Sequence, residues 1–153
     1  MMQTRREMLT RSASVAAALA GLGLLPQAAQ AAWSQAAFDA KTMGDLMKAL
    51  GTSGPAESKD VTITGPDIAE NGAVVPVGAS TTLAGAKRIL LLVEKNPSML
   101  AALFEVTDAV EPNISTRVKM GQSSNVIAVV ITADNKVLFA QKEIKVTLGG
   151  CGG

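Results

Sequence analysis

From Lys59 onward the apolar residues of this chain fall mostly at every second position, a spacing that lines one face of a strand and wraps around a helix. Val61 and Ile63 alternate with Thr62 and Thr64. Val74, Val75 and Val77 follow the turn residues Glu70-Asn71-Gly72, and Pro76 suits an edge position, because it donates no ladder hydrogen bond. Leu100, Ala102, Phe104 and Val106 alternate after the break at Asn96-Pro97. Ile114, Thr116, Val118 and Met120 are expected to face inward, with Ser115, Arg117 and Lys119 outward. Ile144, Val146 and Leu148 close the series. One run differs: Ile89–Val93 is continuously apolar, as expected of a strand buried on both faces, and Val126–Thr132 is expected as a later strand. Val137–Ala140 follows Asp134-Asn135-Lys136, a hairpin signal. About seven short strands at regular spacing predict an all-β fold, an immunoglobulin-like antiparallel β-sandwich. The Cys and Trp hallmarks of antibody domains are absent, so the expectation concerns architecture alone.

Before Lys59 the period is different. Met43, Leu46, Met47 and Leu50 recur at three- and four-residue spacing, which predicts a short N-terminal helical segment. Thr42 with Asp45 three places on reads as its cap and Gly51 as its stop, with Phe38 in a preceding turn. The methionines read as core filler, not metal ligands. Small residues from Gly51 to Ser58 form a linker to the strands.

Residues 1–31 read as an export signal. Arg5, Arg6 and Arg11 precede an apolar run from Ala13 to Leu25, and Ala29-Gln30-Ala31 offers a small-x-small cleavage site. That run falls short of the roughly 20 residues needed to span a bilayer, so no membrane anchor is expected. Arg5-Arg6 with Met8-Leu9 resembles a twin-arginine signal, in spite of Thr10 where Lys is common; that route exports folded proteins and places this one in the periplasm. Cleavage after Ala31 leaves about 120 residues, enough for one domain over 32–148.

Composition excludes several chemistries. The 153 residues include no histidine, the commonest general base and metal ligand, and one cysteine, so an intramolecular disulfide or a thiolate zinc site is excluded. Asp and Glu total 13, but their spacing singles out no pair. The net charge is +1, and none of Trp33, Phe38, Phe104 and Phe139 lies in a basic cluster, which argues against a nucleic-acid groove. No catalytic residue, metal site or cofactor is expected.

The chain ends Gly149-Gly150-Cys151-Gly152-Gly153. Four glycines around a lone thiol cannot build a core and leave the backbone maximally free, so 149–153 is expected to be a flexible C-terminal arm. Extended, it carries Cys151 about 10 Å beyond the last strand. A prenylation signal would place cysteine fourth from the end, and activation as a peroxidatic thiol would need a neighbouring cation that the local sequence lacks. A carrier of a covalently bound substrate, a periplasmic thiol oxidoreductase and a disulfide-linked structural sandwich remain as readings of Cys151.

The end Val146-Thr147-Leu148-Gly149-Gly150-Cys151-Gly152-Gly153, with Ile68–Val77, Val93–Pro97 and Ser115–Met120, resembles SoxY, the sulfur-compound carrier subunit of the thiosulfate-oxidising Sox system. The resemblance spans the whole chain and implies that Cys151 is the acceptor of sulfur, with Gly149, Gly150, Gly152 and Gly153 giving the arm its freedom. It also implies pairing with SoxZ, a second sandwich lacking its own export signal. A haem-containing enzyme then couples thiosulfate to the thiol, a manganese-dependent hydrolase releases sulfate, and in some systems a molybdenum-containing sulfur dehydrogenase oxidises the remaining sulfur. The chemistry would belong to the partners. The purified chain is therefore expected to leave thiosulfate unconsumed, and sustained turnover without added enzyme would overturn the non-enzymatic reading.

Overall fold

A computed structural model describes residues 34–147. The export signal with Arg5 and Arg6, and the segment carrying Gly149, Gly150, Cys151, Gly152 and Gly153, lie outside the described residues. Two short helices come first, α1 (Gln35–Asp39) and α2 (Met43–Ala49). Nine strands follow: β1 (Ala56–Glu57), β2 (Val61–Thr64), β3 (Ile68–Ala69), β4 (Val75–Thr81), β5 (Ala86–Val93), β6 (Leu100–Glu105), β7 (Asn113–Val118), β8 (Ser124–Thr132) and β9 (Val137–Val146). The fold is therefore mostly β. One sheet has six strands in the order β1-β9-β8-β5-β6, with β3 also paired to β9, and the other runs β2-β4-β7.

Each end of α2 is satisfied as its sequence suggests. The Thr42 hydroxyl accepts from the Asp45 amide at 3.1 Å. At the other end Gly51 takes φ 68°, a conformation that needs glycine. Its amide donates to Lys48 O and the Thr52 amide to Met47 O, the paired bonds of a Schellman stop. Phe38 belongs to a second helix, α1, where only a turn was expected; Ser34 caps it by accepting from the Ala37 amide. Helices of five and seven residues cannot stand alone in water. Their apolar faces hold them to the larger sheet.

The larger sheet is apolar on both sides. Toward the smaller sheet, Ile89, Leu91 and Val93 of β5 and Val126, Ala128 and Val130 of β8 pack with Val61, Val75, Val77, Ala79 and Val118. Toward the helices, Leu90 and Leu92, with Ile127, Val129 and Ile131, meet Ala37, Ala40, Leu46 and Met47. This explains the unbroken apolar runs: Ile89 to Val93 are each 0% exposed. The outcome is three layers, helices, sheet and sheet, with β5 and β8 in the middle.

One strand departs from simple alternation. Leu91 pairs with Ala102 but Leu92 pairs with Leu100, so Ala101 is an extra residue in the ladder. This bulge turns Leu100 onto the helix side, while Ala102 and Phe104 stay on the sheet-to-sheet side. The period-two reading placed all three on one face. The inward and outward residues of β7 follow the expected alternation, and Met120 just beyond it is buried.

Between Ala56 and Ala69 the chain changes sheets twice. The segment read as a linker contains β1, which pairs parallel with β9; β2 pairs antiparallel with β4 in the other sheet; β3 returns to pair parallel with β9. These two parallel pairs are the exceptions to an otherwise antiparallel ladder. Pro76 sits in β4 opposite Arg117 of β7, but β2 reaches only as far as Gly78, so one side of Pro76 has no strand neighbour. The β8–β9 turn is as expected: Asn135 has φ 60°, and the Asp134 carboxylate accepts from the Thr132 hydroxyl. That bond, with Lys136 beside it, holds the Asp134 carboxyl down to about 2.

Leu46 is fully buried in the helix-to-sheet layer. Leu46→Ala is expected to lower stability by about 2–5 kcal/mol, the cost of a cavity at a fully packed site. A denaturation midpoint unchanged from the parent would show that the helices are not docked as described.

Candidate functional site

The segment bearing Cys151 springs from the end of β9, and that end is held from both sides. Successive amides of a strand point in opposite directions. The amides of Lys145 and Thr147 donate to the Asp67 and Ala69 carbonyls, each at 3.0 Å. Between them the Val146 amide turns the other way and donates to the Ser123 hydroxyl at 2.9 Å. Asp67, just before β3, and Ala69 within it thus clamp one side, and the loop before β8 the other. Thr147 is still anchored, and it stands four positions before Cys151.

A glycine allows the third contact. The Met120 amide donates to the Gly72 carbonyl at 2.7 Å. A Cβ on Gly72 would lie 2.4 Å from the Met120 carbonyl oxygen and 2.9 Å from Val146 Cγ1. Only glycine lets the 70–72 turn press against both. Asn71 shapes that turn, its side-chain oxygen accepting from the Ala73 amide at 2.9 Å. Asn96 then joins the next loop: its amide nitrogen donates to the Lys119 carbonyl at 2.7 Å, and its oxygen accepts from the Gly121 amide at 3.3 Å. Contacts therefore run from Asn96 through Met120 and Gly72 to Val146.

Lys142 secures the crossing that delivers β3 to this place. Its ammonium donates to the Gly65 carbonyl at 2.7 Å and meets Asp67 at 2.9 Å. The hydrogen bond and charge of Lys142 hold the Asp67 carboxyl below its usual range. Gly65 leaves room for the packing, since a Cβ there would fall 2.9 Å from Ile144 Cδ1. A groove of about 460 Å³ also opens between β6 and β7, the outer strands of the two sheets on that side. Arg117, Lys119, Asn96 and Ser98 line it, and no carboxylate does. It offers charge and hydrogen-bond donors but no acid–base pair.

Four stretches that look unrelated along the chain, 68–77, 93–97, 115–120 and the end of β9, are thus gathered in one place. A sequence model of the family described as sulfur oxidation protein SoxY matches residues 46–151. The chain belongs to the SoxY family. The solved structure of the sulfur carrier protein SoxY from Chlorobium limicola f thiosulfatophilum is 34% identical, covering 69% of this chain and 94% of its own, with a TM-score of 0.61. A superoxide reductase (neelaredoxin) from Ignicoccus hospitalis reaches a TM-score of 0.51 at 20% identity, over 57% of this chain and 80% of its own. At that identity the likeness is one of fold alone. No curated protein sequence matches the chain.

Sequence reasoning picked out the thiol and its glycines, which lie outside the described residues, and missed the clamp that precedes them. Ser123 is a loop residue with no local pattern to mark it, and Asn96 reads along the sequence as part of a break, not as a bridge to Lys119 and Gly121. Gly72 was read as part of a turn, which it is; its contact with Val146 depends on a residue 74 positions away in this SoxY chain.

Gly72→Ala is expected to cost about 1–3 kcal/mol, as overpacking against a backbone oxygen does. Gly121→Ala, whose Cβ would meet nothing within 4 Å, should stay within about 0.5 kcal/mol. Equal denaturation midpoints for the two variants would refute the close approach of the 70–72 turn to β9.

Proposed function

We propose that this SoxY chain is a periplasmic carrier that holds sulfur intermediates of thiosulfate oxidation covalently on Cys151 and presents them to separate enzymes. The observation that carries the reading is the family match, which runs through residue 151, together with a single thiol set among four glycines after a clamped strand end. A fixed base and a glycine arm serve one purpose together: they hold the cargo near the body while letting it turn into unlike active sites. A covalent tether also keeps each intermediate local to its next enzyme.

In this reading the Cys151 thiol is the group that reacts, and the oxidant is the haem of a partner enzyme. The thiol and thiosulfate join as a cysteine S-thiosulfonate, releasing one proton to water and two electrons that pass one at a time through that haem to a further electron acceptor. Water, directed by a manganese-dependent hydrolase, then cleaves the terminal sulfone as sulfate and leaves a persulfide on Cys151. Where a sulfur dehydrogenase is present, it oxidises the persulfide sulfur and hydrolysis restores the thiol. Cysteine suits the role because sulfur–sulfur bonds form and break reversibly. The two sheets form an immunoglobulin-like sandwich in this reading, and a SoxZ-like sandwich completes a heterodimer. Arg5 and Arg6 direct export by the twin-arginine route once that pair has folded.

Intact-mass spectrometry of protein from cells grown on thiosulfate tests the proposal. Thiol-sensitive adducts of sulfur or thiosulfonate mass on Cys151 are expected; a disulfide alone would mark a dimeriser. Cys151→Ser should abolish loading and leave the melting temperature unchanged. If 149–153 is an arm, Gly150→Val and Gly152→Val should move stability by no more than about 0.5 kcal/mol, the usual range for surface changes. A β-branched side chain restricts the backbone, so loading by the partner enzymes should slow while a small thiol reagent still reacts freely. Wild-type loading rates for both variants would show the glycines to be a passive tail.

A further inference from the structure

Three large apolar side chains are exposed among the described residues, Ile68, Val74 and Val110. Two of them stand beside the clamped end of β9. Ile68 is 57% exposed although it pairs with Lys145 in the ladder. Val74 is 51% exposed, two positions from the glycine that touches Val146. Ala73 and Pro76, on the same stretch, are exposed as well. The core does not need them: Ala69, Val75 and Val77 already supply the inward side chains here.

Length gives this strip its meaning. Cys151 stands four residues beyond Thr147, so its Cα reaches no more than about 14 Å from that anchor even when fully extended. Any enzyme that acts on the thiol must bring its reacting atoms inside that radius. An active site set back from the enzyme surface uses up most of the reach, so the enzyme's mouth must press on the surface around Thr147. That surface is where Ile68, Ala73, Val74 and Pro76 are presented. Apolar side chains left exposed together beside an obligatory contact mark a docking surface.

We propose that Ile68 and Val74 form an apolar collar at the base of the arm, which seats against an apolar lip around the active-site mouth of the enzyme that loads Cys151. This rests on the carrier reading and adds a body contact to it. The arm supplies the reacting thiol, and the collar supplies affinity and sets the depth to which the arm enters.

The test uses competition between full-length chains. With thiosulfate, the haem-containing coupling enzyme and wild-type chain, loading is followed by intact mass. Cys151→Ser, which cannot be loaded, is added as a competitor. It should inhibit by occupying the mouth, and adding Ile68→Ser and Val74→Ser to it should weaken inhibition about tenfold, the loss expected from two apolar contacts. The Ile68→Ser/Val74→Ser chain with Cys151 intact should keep its melting temperature and its rate of alkylation by iodoacetamide. Equal inhibition with and without the collar substitutions would overturn the collar and leave the carrier reading standing. No loading of the wild-type chain would overturn both. A double variant that loses its partner sandwich or its own dimer on gel filtration would assign the patch to that interface and overturn the collar.

Discussion

The pairing of β5 with β8 is the interaction on which the rest of the molecule depends. Both strands are buried on both faces over their paired centre, so the ladder from Ile89 to Val93 has water on neither side. A backbone group left unpaired there would lose its water without gaining a partner, which costs more than most single contacts supply. The register is equally constrained. Ile89, Leu91 and Val93 face the smaller sheet while Leu90 and Leu92 face the helices, and a one-residue slip would exchange the two sets. Each outer layer is short and gains its stability by covering this pair.

Around that centre, the crossing of the chain between sheets determines where β9 can end. Gly65 makes room for Ile144, Lys142 ties Gly65 and Asp67 to β9, and β3 then lies along the strand's last residues. Parallel pairing of only two residues contributes little by itself. Its value is positional, since it satisfies the outward amides of Lys145 and Thr147. Ser123 does the same for the amide that faces the other way. The strand end thus stays paired through Thr147.

A carrier arm asks opposite things of adjacent residues. Its base must be fixed, or the cargo's position relative to the body is lost, and its tip must be free, or the cargo fits one enzyme only. In this SoxY chain the end of β9 has the fixed character that such a base requires. Up to Thr147 every amide of the strand end has a partner. From Gly149 onward the composition abandons side chains except for the thiol.

The sequence by itself determined the β class, the doubly buried run from Ile89 to Val93, the capped helix and the hairpin at Asn135. These follow from local causes: side-chain period, capping chemistry and a turn residue tolerant of positive φ. Only the tertiary structure decided that Leu100 turns to the helices, because a bulge at Ala101 depends on what β5 presents across the ladder. It alone decided that Pro76 is tolerated inside β4, since the length of β2 sets where that strand has an open side. The gathering of Ile68, Gly72, Asn96, Met120 and Ser123 around Val146 was equally invisible along the chain. Each of those contacts joins residues tens of positions apart, and such contacts are chosen by how the two sheets close over one core, which no local pattern encodes.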